Sequence, residues 1–189
     1  MNIFFTASLR GKERYIDEYK KIKKILNTKN KTISSHIFDY NLDQVHEWDP
    51  EYRFNFYKNL FDQIKLADLI VAEITTPSIN VGYEVCIALE LKKPAIILYT
   101  GQTEPELLHN IDSTLADNRL IIIQYGKKDL EIQLKKALIE IKHLITKRFT
   151  ILLPPDIVNY LDKIAKERGI PRGMYIRQLI ENDRDKIHI

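Results

Sequence analysis

Residues 69–74 read Leu-Ile-Val-Ala-Glu-Ile, an apolar run without alternation, closed by Asp68 on one side and Thr75 on the other. The run is too short for a buried helix, and in a strand its side chains point to both faces. Both faces are covered only in the interior of a parallel sheet, so a central parallel strand is predicted here. The flanking segments agree. Strands are expected over 2–7, 32–38, 94–99 and 119–125, and helices over 12–26, 53–66, 83–91 and 130–145. In the first helix Tyr15, Tyr19, Ile22 and Leu26 share one face. Phe56, Leu60 and Ile64 do so in the second, and Leu134, Leu138, Ile141 and Ile145 in the last. Residues 41–50 read as irregular and polar. Strands alternating with helices specify an α/β fold built on an open, mostly parallel sheet.

The 189 residues suit one domain, or one domain with a short appended module. With 44% hydrophobic and 29% charged residues the chain has the balance of a soluble globular protein. No apolar run approaches the roughly 20 residues that cross a bilayer. The opening MNIFFTASLRGKERY lacks the pattern of a signal peptide, so a cytoplasmic protein is expected, with no membrane partner. The single cysteine, Cys86, forms no disulfide within the chain and reads as a small buried hydrophobe; five scattered His complete no thiolate zinc site. No metal or redox cofactor is expected.

In an open parallel sheet, ligands sit outside the carboxyl ends of the strands. The loops leaving those ends, 6–12, 75–82 and 100–105, are therefore where chemistry belongs. The second loop, TTPSINVG, leads into a helix whose first turn is expected to hold Glu84, where the helix dipole stabilises a carboxylate. Such a group is an ordinary first-turn residue or a nucleophile facing the crevice. Gly82 is either a turn residue or a point of close approach to a ligand. Glu73 is a second carboxyl at the strand end or a satisfied polar group at the rim. The first loop places Ser8, Leu9, Arg10 and Gly11 directly before a helix, a cradle of amides and one guanidinium suited to a phosphate. It is neither a Walker A loop nor GxGxxG.

FFTASLRGKE followed by ADLIVAEITTPSINVGYE resembles the nucleoside 2-deoxyribosyltransferase-like superfamily, nearest its 2′-deoxynucleoside 5′-phosphate N-hydrolase branch, over about residues 3–125. The resemblance implies a flavodoxin-like doubly wound sheet and a dimer or larger homo-oligomer. It implies Glu84 as nucleophile, with Ser8, Arg10 and Ser78 holding a 5′-phosphate. Phe4, Leu9, Gly11, Asn80, Gly82 and Asn110 complete the implied substrate site. The pattern departs at three places. Leu60, flanked by Asn59 and Asp62, stands where the family has an assisting Asp; Phe4 replaces a Tyr; Asn110 is the nearest substitute for a Ser lent by the neighbouring subunit. The expected activity is cleavage of the base–sugar bond of a nucleoside or its 5′-monophosphate, by an N-glycosidase that passes the sugar to water or a deoxyribosyltransferase that passes it to a second base. The alternatives are hydrolysis of NAD, for which Phe4, Trp48 and Tyr83 could stack on nicotinamide, and a nucleotide-sensing DNA-binding regulator. Trp48, in its polar loop, reads more simply as a packing residue.

The pattern changes after Thr146, so the domains are expected at 1–146 and 147–189. Residues 1–146 carry 20 Lys/Arg and 20 Asp/Glu; the last 43 carry nine against six. KRFTILLP alternates as a short strand, a helix follows over 155–168, Gly169 stops it and a second helix carries Ile176, Leu179 and Ile180. A strand and two helices of this size cannot close a core alone, which points to self-association. The segment resembles a ribbon-helix-helix module, which implies antiparallel strand pairing between two chains. Arg148, Thr150 and Leu152 would then face outward, where DNA would be read.

Overall fold

The computed structural model describes residues 1–34, 36–111, 119–144 and 151–187. It divides into two compact units, Met1–Thr146 and Lys147–Ile189.

Unit 1 is a five-stranded sheet in the order β2-β1-β3-β4-β5, parallel throughout. The strands are β1 (Asn2–Ala7), β2 (Lys31–Thr32), β3 (Leu69–Glu73), β4 (Ala95–Tyr99) and β5 (Leu120–Gln124). The 69–74 run occupies the centre, with Ile3 opposite Leu69 and Ala7 opposite Glu73 on one side, and Glu73 opposite Leu98 on the other. All five β3 residues are buried, as its unalternating sequence requires. Helices cover both faces. The period-two alternation of β1 sends Ile3 and Phe5 to one face, against α1 (Lys12–Asn27) and α7 (Leu130–Glu140). Phe4 goes to the other face, against α4 (Pro50–Leu66) and α5 (Ile79–Glu90). Either layer depends on side chains such as Ile22 or Ile64, both fully buried, and truncating one to Ala costs about 2–5 kcal/mol.

Five expected elements are replaced or shifted. The strand over 32–38 shrinks to Lys31–Thr32, and His36–Asp39 forms a single helical turn, α2. The apolar residues there follow no strict alternation, and Ile37 is buried from a helix rather than a strand. The irregular stretch contains α3 (Leu42–His46), started by a capping box in which Asn41 and Gln44 exchange bonds of 2.9 Å. Helix α4 begins three residues early, at Pro50, because Asp49 caps it by accepting from the Tyr52 N–H at 2.8 Å. Helix α5 likewise starts at Ile79, with the Ser78 hydroxyl accepting from the Val81 N–H. Gly82 is therefore inside a helix, and Glu84 lies in the second turn rather than the first. The last helix ends at Glu140 and tightens into a 3₁₀ turn over Ile141–Leu144; Ile145 lies outside the described residues.

Three further helices remain among the described residues. Glu106–Asn110, α6, occupies the loop after β4. In unit 2, α8 (Pro155–Arg168) has Pro at its first turn and ends at Gly169, whose φ of 63° is the left-handed conformation that glycine adopts without strain. Helix α9 (Arg172–Ile187) follows, and Arg172 pairs with Asp162. Only Leu161 and Tyr175 are buried among the described residues of this unit. Ile151–Pro154 carry no strand pairing, and Lys147–Thr150 lie outside the described residues.

Candidate active site

The crevice lies where the sheet order predicts it. Chain connection reverses between the neighbouring strands β1 and β3, and at their carboxyl ends opens a cavity of about 330 Å³. Thr6, Ser8, Leu9 and Arg10 supply one wall, and Ser78, Asn80 and Glu84 another. Two of the three loops expected to carry chemistry, 6–12 and 75–82, thus meet at one site, and no residue of 100–105 lines it.

Glu84 is 4% exposed, and its Oε2 is buried without a hydrogen-bond partner. Burial pushes its carboxyl up to about 7, with the Thr6 hydroxyl opposing that shift. The Oγ atoms of Thr6 and Ser8 are also buried and unpartnered. Three polar groups withdrawn from water, without a full set of protein partners, thus face the cavity. Among the described residues Glu84 is the one carboxyl on the cavity wall.

The other residues named from the sequence divide. Gly11 is buried behind the first loop, where an added Cβ would lie 2.7 Å from the Tyr19 hydroxyl and against Thr76. Asn80 reaches the cavity and donates to the Tyr57 hydroxyl at 3.1 Å. Gly82 faces Leu107 of α6 instead, 3.2 Å from an added Cβ. Phe4 is fully buried in the core and touches no cavity surface; its ring packs 5.9 Å from His36, which does line the site. The side chain of Asn110 lies outside the described residues. Leu60 is a core residue, and Asp62 points to solvent, paired with Lys65 at 3.2 Å. Tyr83 is exposed against Phe61, and Cys86 is exposed rather than buried, because the inward stripe of α5 is Val81, Glu84, Val85, Ala88 and Leu89. In the second unit Arg148 and Thr150 lie outside the described residues, and Leu152 is 95% exposed.

Of the remaining wall, only Trp48 was named from the sequence as a residue that could stack on a ligand. His36, Tyr40, Trp48, Arg53, Phe56 and Tyr57 line the cavity. Trp48 sits 4.5 Å from Phe56 and 5.0 Å from Tyr40, centroid to centroid, so its packing role and a place on the wall coincide. Arg53 donates to the Trp48 carbonyl at 3.3 Å and holds this segment against the helix. Burial lowers His36 to about 4, against the raising effect of Asp39, so its imidazole is neutral at pH 7. The density of rings between 36 and 57 was the available signal. Among the described residues no three His, Cys, Asp or Glu side chains group as a metal site requires.

A 5-hydroxymethyl-dUMP N-hydrolase of Danio rerio is 31% identical over 104 residues, covering 52% of this chain and 68% of the fish protein. Its named substrate is itself a 2′-deoxynucleoside 5′-phosphate. The chain belongs to the 2′-deoxynucleoside 5′-phosphate N-hydrolase family. The Rattus norvegicus 5-hydroxymethyl-dUMP N-hydrolase is 27% identical over 135 residues, which is 71% of this family member and 83% of the rat protein. Among solved structures, a CMP N-glycosidase of Clostridium botulinum shares the fold. Its TM-score is 0.51 at 20% identity, covering 74% of this chain and 99% of its own. No family model matches the chain.

Proposed function

We propose that the protein hydrolyses the base–sugar bond of a 2′-deoxynucleoside 5′-monophosphate, with Glu84 as nucleophile. The observation that carries this is Glu84 itself: a buried, unpaired carboxyl on the wall of a cavity whose opposite loop offers Ser8, Leu9 and Arg10 to an anion. The 5′-phosphate lies against Arg10 and the hydroxyls of Ser8 and Ser78. The base lies against the ring wall of Trp48, Phe56 and Tyr57. The ionised Glu84 oxygen attacks C1′ as the C1′–N bond breaks, through an oxocarbenium-like transition state. The base leaves with the bonding pair and takes up a proton. Water then attacks C1′, the ester bond breaks, Glu84 departs as carboxylate and the water's proton goes to solvent. The products are free base and 2-deoxyribose 5-phosphate.

The appended unit is a ribbon-helix-helix-like pairing device that makes the protein a homodimer. Its support is the imbalance noted above: two buried side chains, against Ile151, Ile157, Leu179 and Ile180 in solvent.

The test of the reaction is chromatography of free base from a panel of deoxynucleoside monophosphates, ribonucleotides, free nucleosides and NAD, with Glu84→Ala alongside. Base released from deoxynucleoside monophosphates and lost in the variant is expected. Undiminished release by Glu84→Ala removes the nucleophile assignment, and release from NAD alone replaces the substrate class.

A further inference from the structure

A second carboxyl lies beneath the site and takes no part in the chemistry above. Glu73 ends the central strand and is fully buried. By the alternation of β3 it points to the α1/α7 face, opposite to the face that carries Glu84. Its Oε1 accepts from the Tyr125 hydroxyl at 3.0 Å, from the Thr75 N–H at 3.4 Å and from the Thr75 hydroxyl. The Thr75 hydroxyl in turn accepts from the Thr100 N–H at 2.9 Å. The Tyr19 hydroxyl, whose ionisation is pushed up first by burial and then by the neighbouring Glu73, donates to the Ser8 carbonyl at 3.3 Å. That carbonyl also receives the Gly11 N–H at 3.1 Å. The loops leaving the carboxyl edge at β3 and β4 are thus tied, directly or through the Thr75 hydroxyl, to a single acid, and the Tyr19 hydroxyl that holds the β1 loop stands beside it. An apolar residue would fill this place without the desolvation penalty that raises the Glu73 carboxyl, whereas a bonded polar network holds its members in one geometry.

We propose that Glu73 is a positioning residue: with Thr75 and Tyr19 it sets the relative placement of the Ser8–Arg10 loop and the Ser78 loop, and so the grip on a 5′-phosphate. The inference rests on the phosphate assignment made above. It concerns preference for phosphorylated over unphosphorylated ligand, a quantity that general loosening of the fold would not single out.

The experiment compares a deoxynucleoside 5′-monophosphate with its nucleoside in Tyr19→Phe, Thr75→Val, Glu73→Leu and Glu73→Gln. KM and kcat are read from base release, and Kd by calorimetry in the non-hydrolysing Glu84→Gln background. Preference for the monophosphate is expected to fall about five- to tenfold in Tyr19→Phe, Thr75→Val and Glu73→Leu, carried by KM and Kd rather than kcat. Glu73→Gln keeps the accepting Oε1 and should retain the preference. Equal losses for both ligands, no loss in Tyr19→Phe and Thr75→Val, or a Glu73→Gln variant as impaired as Glu73→Leu would each overturn the inference. The two readings fail separately. Calorimetric preference that depends on these residues in a protein releasing no base sustains the positioning role and ends the hydrolase reading. Base release with unaltered preference does the reverse, and a protein that binds neither ligand ends both.

Discussion

Replacing Glu84 by Gln should make the protein more stable, and only above a particular pH. The carboxyl is 4% exposed and is raised from 4.5 to about 7 by burial. A raised acid holds its proton in the folded chain between those values while the unfolded chain has lost it, so stability falls as pH rises through that window. About 2.5 pH units at 1.36 kcal/mol each give roughly 3 kcal/mol. Wild-type stability alone would conceal this. His36 is lowered from 6.5 to about 4, so its contribution grows as pH rises from 4 to 6.5, with opposite sign and similar size. The informative quantity is the difference between Glu84→Gln and wild type, in which His36 cancels. Urea denaturation followed by circular dichroism at pH 4.5, 6, 7 and 8 measures it. The difference should be near zero at pH 4.5 and reach roughly 3 kcal/mol in favour of the variant at pH 8. A constant difference across the range would refute the reasoning, since the carboxyl would then titrate as an ordinary solvated group. The same titration predicts that kcat/KM falls about tenfold per pH unit below pH 7, where the nucleophile is protonated.

Further outcomes follow from single contacts. Arg10→Ala should raise KM for the 5′-monophosphate by about tenfold or more through loss of a charge-assisted bond, and raise it less for the nucleoside. Equal effects would take Arg10 off the phosphate. Gly11→Ala forces a methyl group against the Tyr19 hydroxyl and Thr76 and should cost about 1–3 kcal/mol in a urea melt; an unchanged midpoint would mean that the loop relaxes freely. Ile151→Asp places a charge on an apolar side chain that is 56% exposed in the single chain. Light scattering should show the homodimer converted to monomer, and a dimer of unchanged mass would place the interface elsewhere.

Much of this fold is legible in the sequence because its determinants are local. The unalternating 69–74 run specifies a covered central strand, and the three-and-four spacing of Tyr15, Tyr19, Ile22 and Leu26 specifies one buried helix face; Tyr19, Ile22 and Leu26 are buried as that spacing requires. Ser8, Arg10 and Glu84 were readable as candidates for a related reason, and Ser78 through the family resemblance. They lie in two loops at the carboxyl edge of parallel strands or, for Glu84, in the helix after the second loop, and the register of β1 with β3 brings those segments together. Capping was the point where local reasoning stopped short. Ser78 starts α5 earlier than the Pro and Gly signals suggest, which moves Glu84 to the second turn. The nucleophile assignment then rests on burial rather than on the helix dipole, whose effect fades beyond the first turn.

Tertiary structure alone decided the rest. His36, Tyr40 and Trp48 come from segments with no strong periodicity, and they share a wall with Phe56 of α4 only because α2, α3 and α4 fold back over the end of β1. Neither the depth at which Glu84 loses its water nor the opposite facing of Glu73 can be derived from composition. Periodicity says which face a side chain takes within its own element. What stands across from that face, and whether water remains between, depends on contacts between residues distant in the chain, and it is those contacts that separate a first-turn glutamate from a desolvated nucleophile.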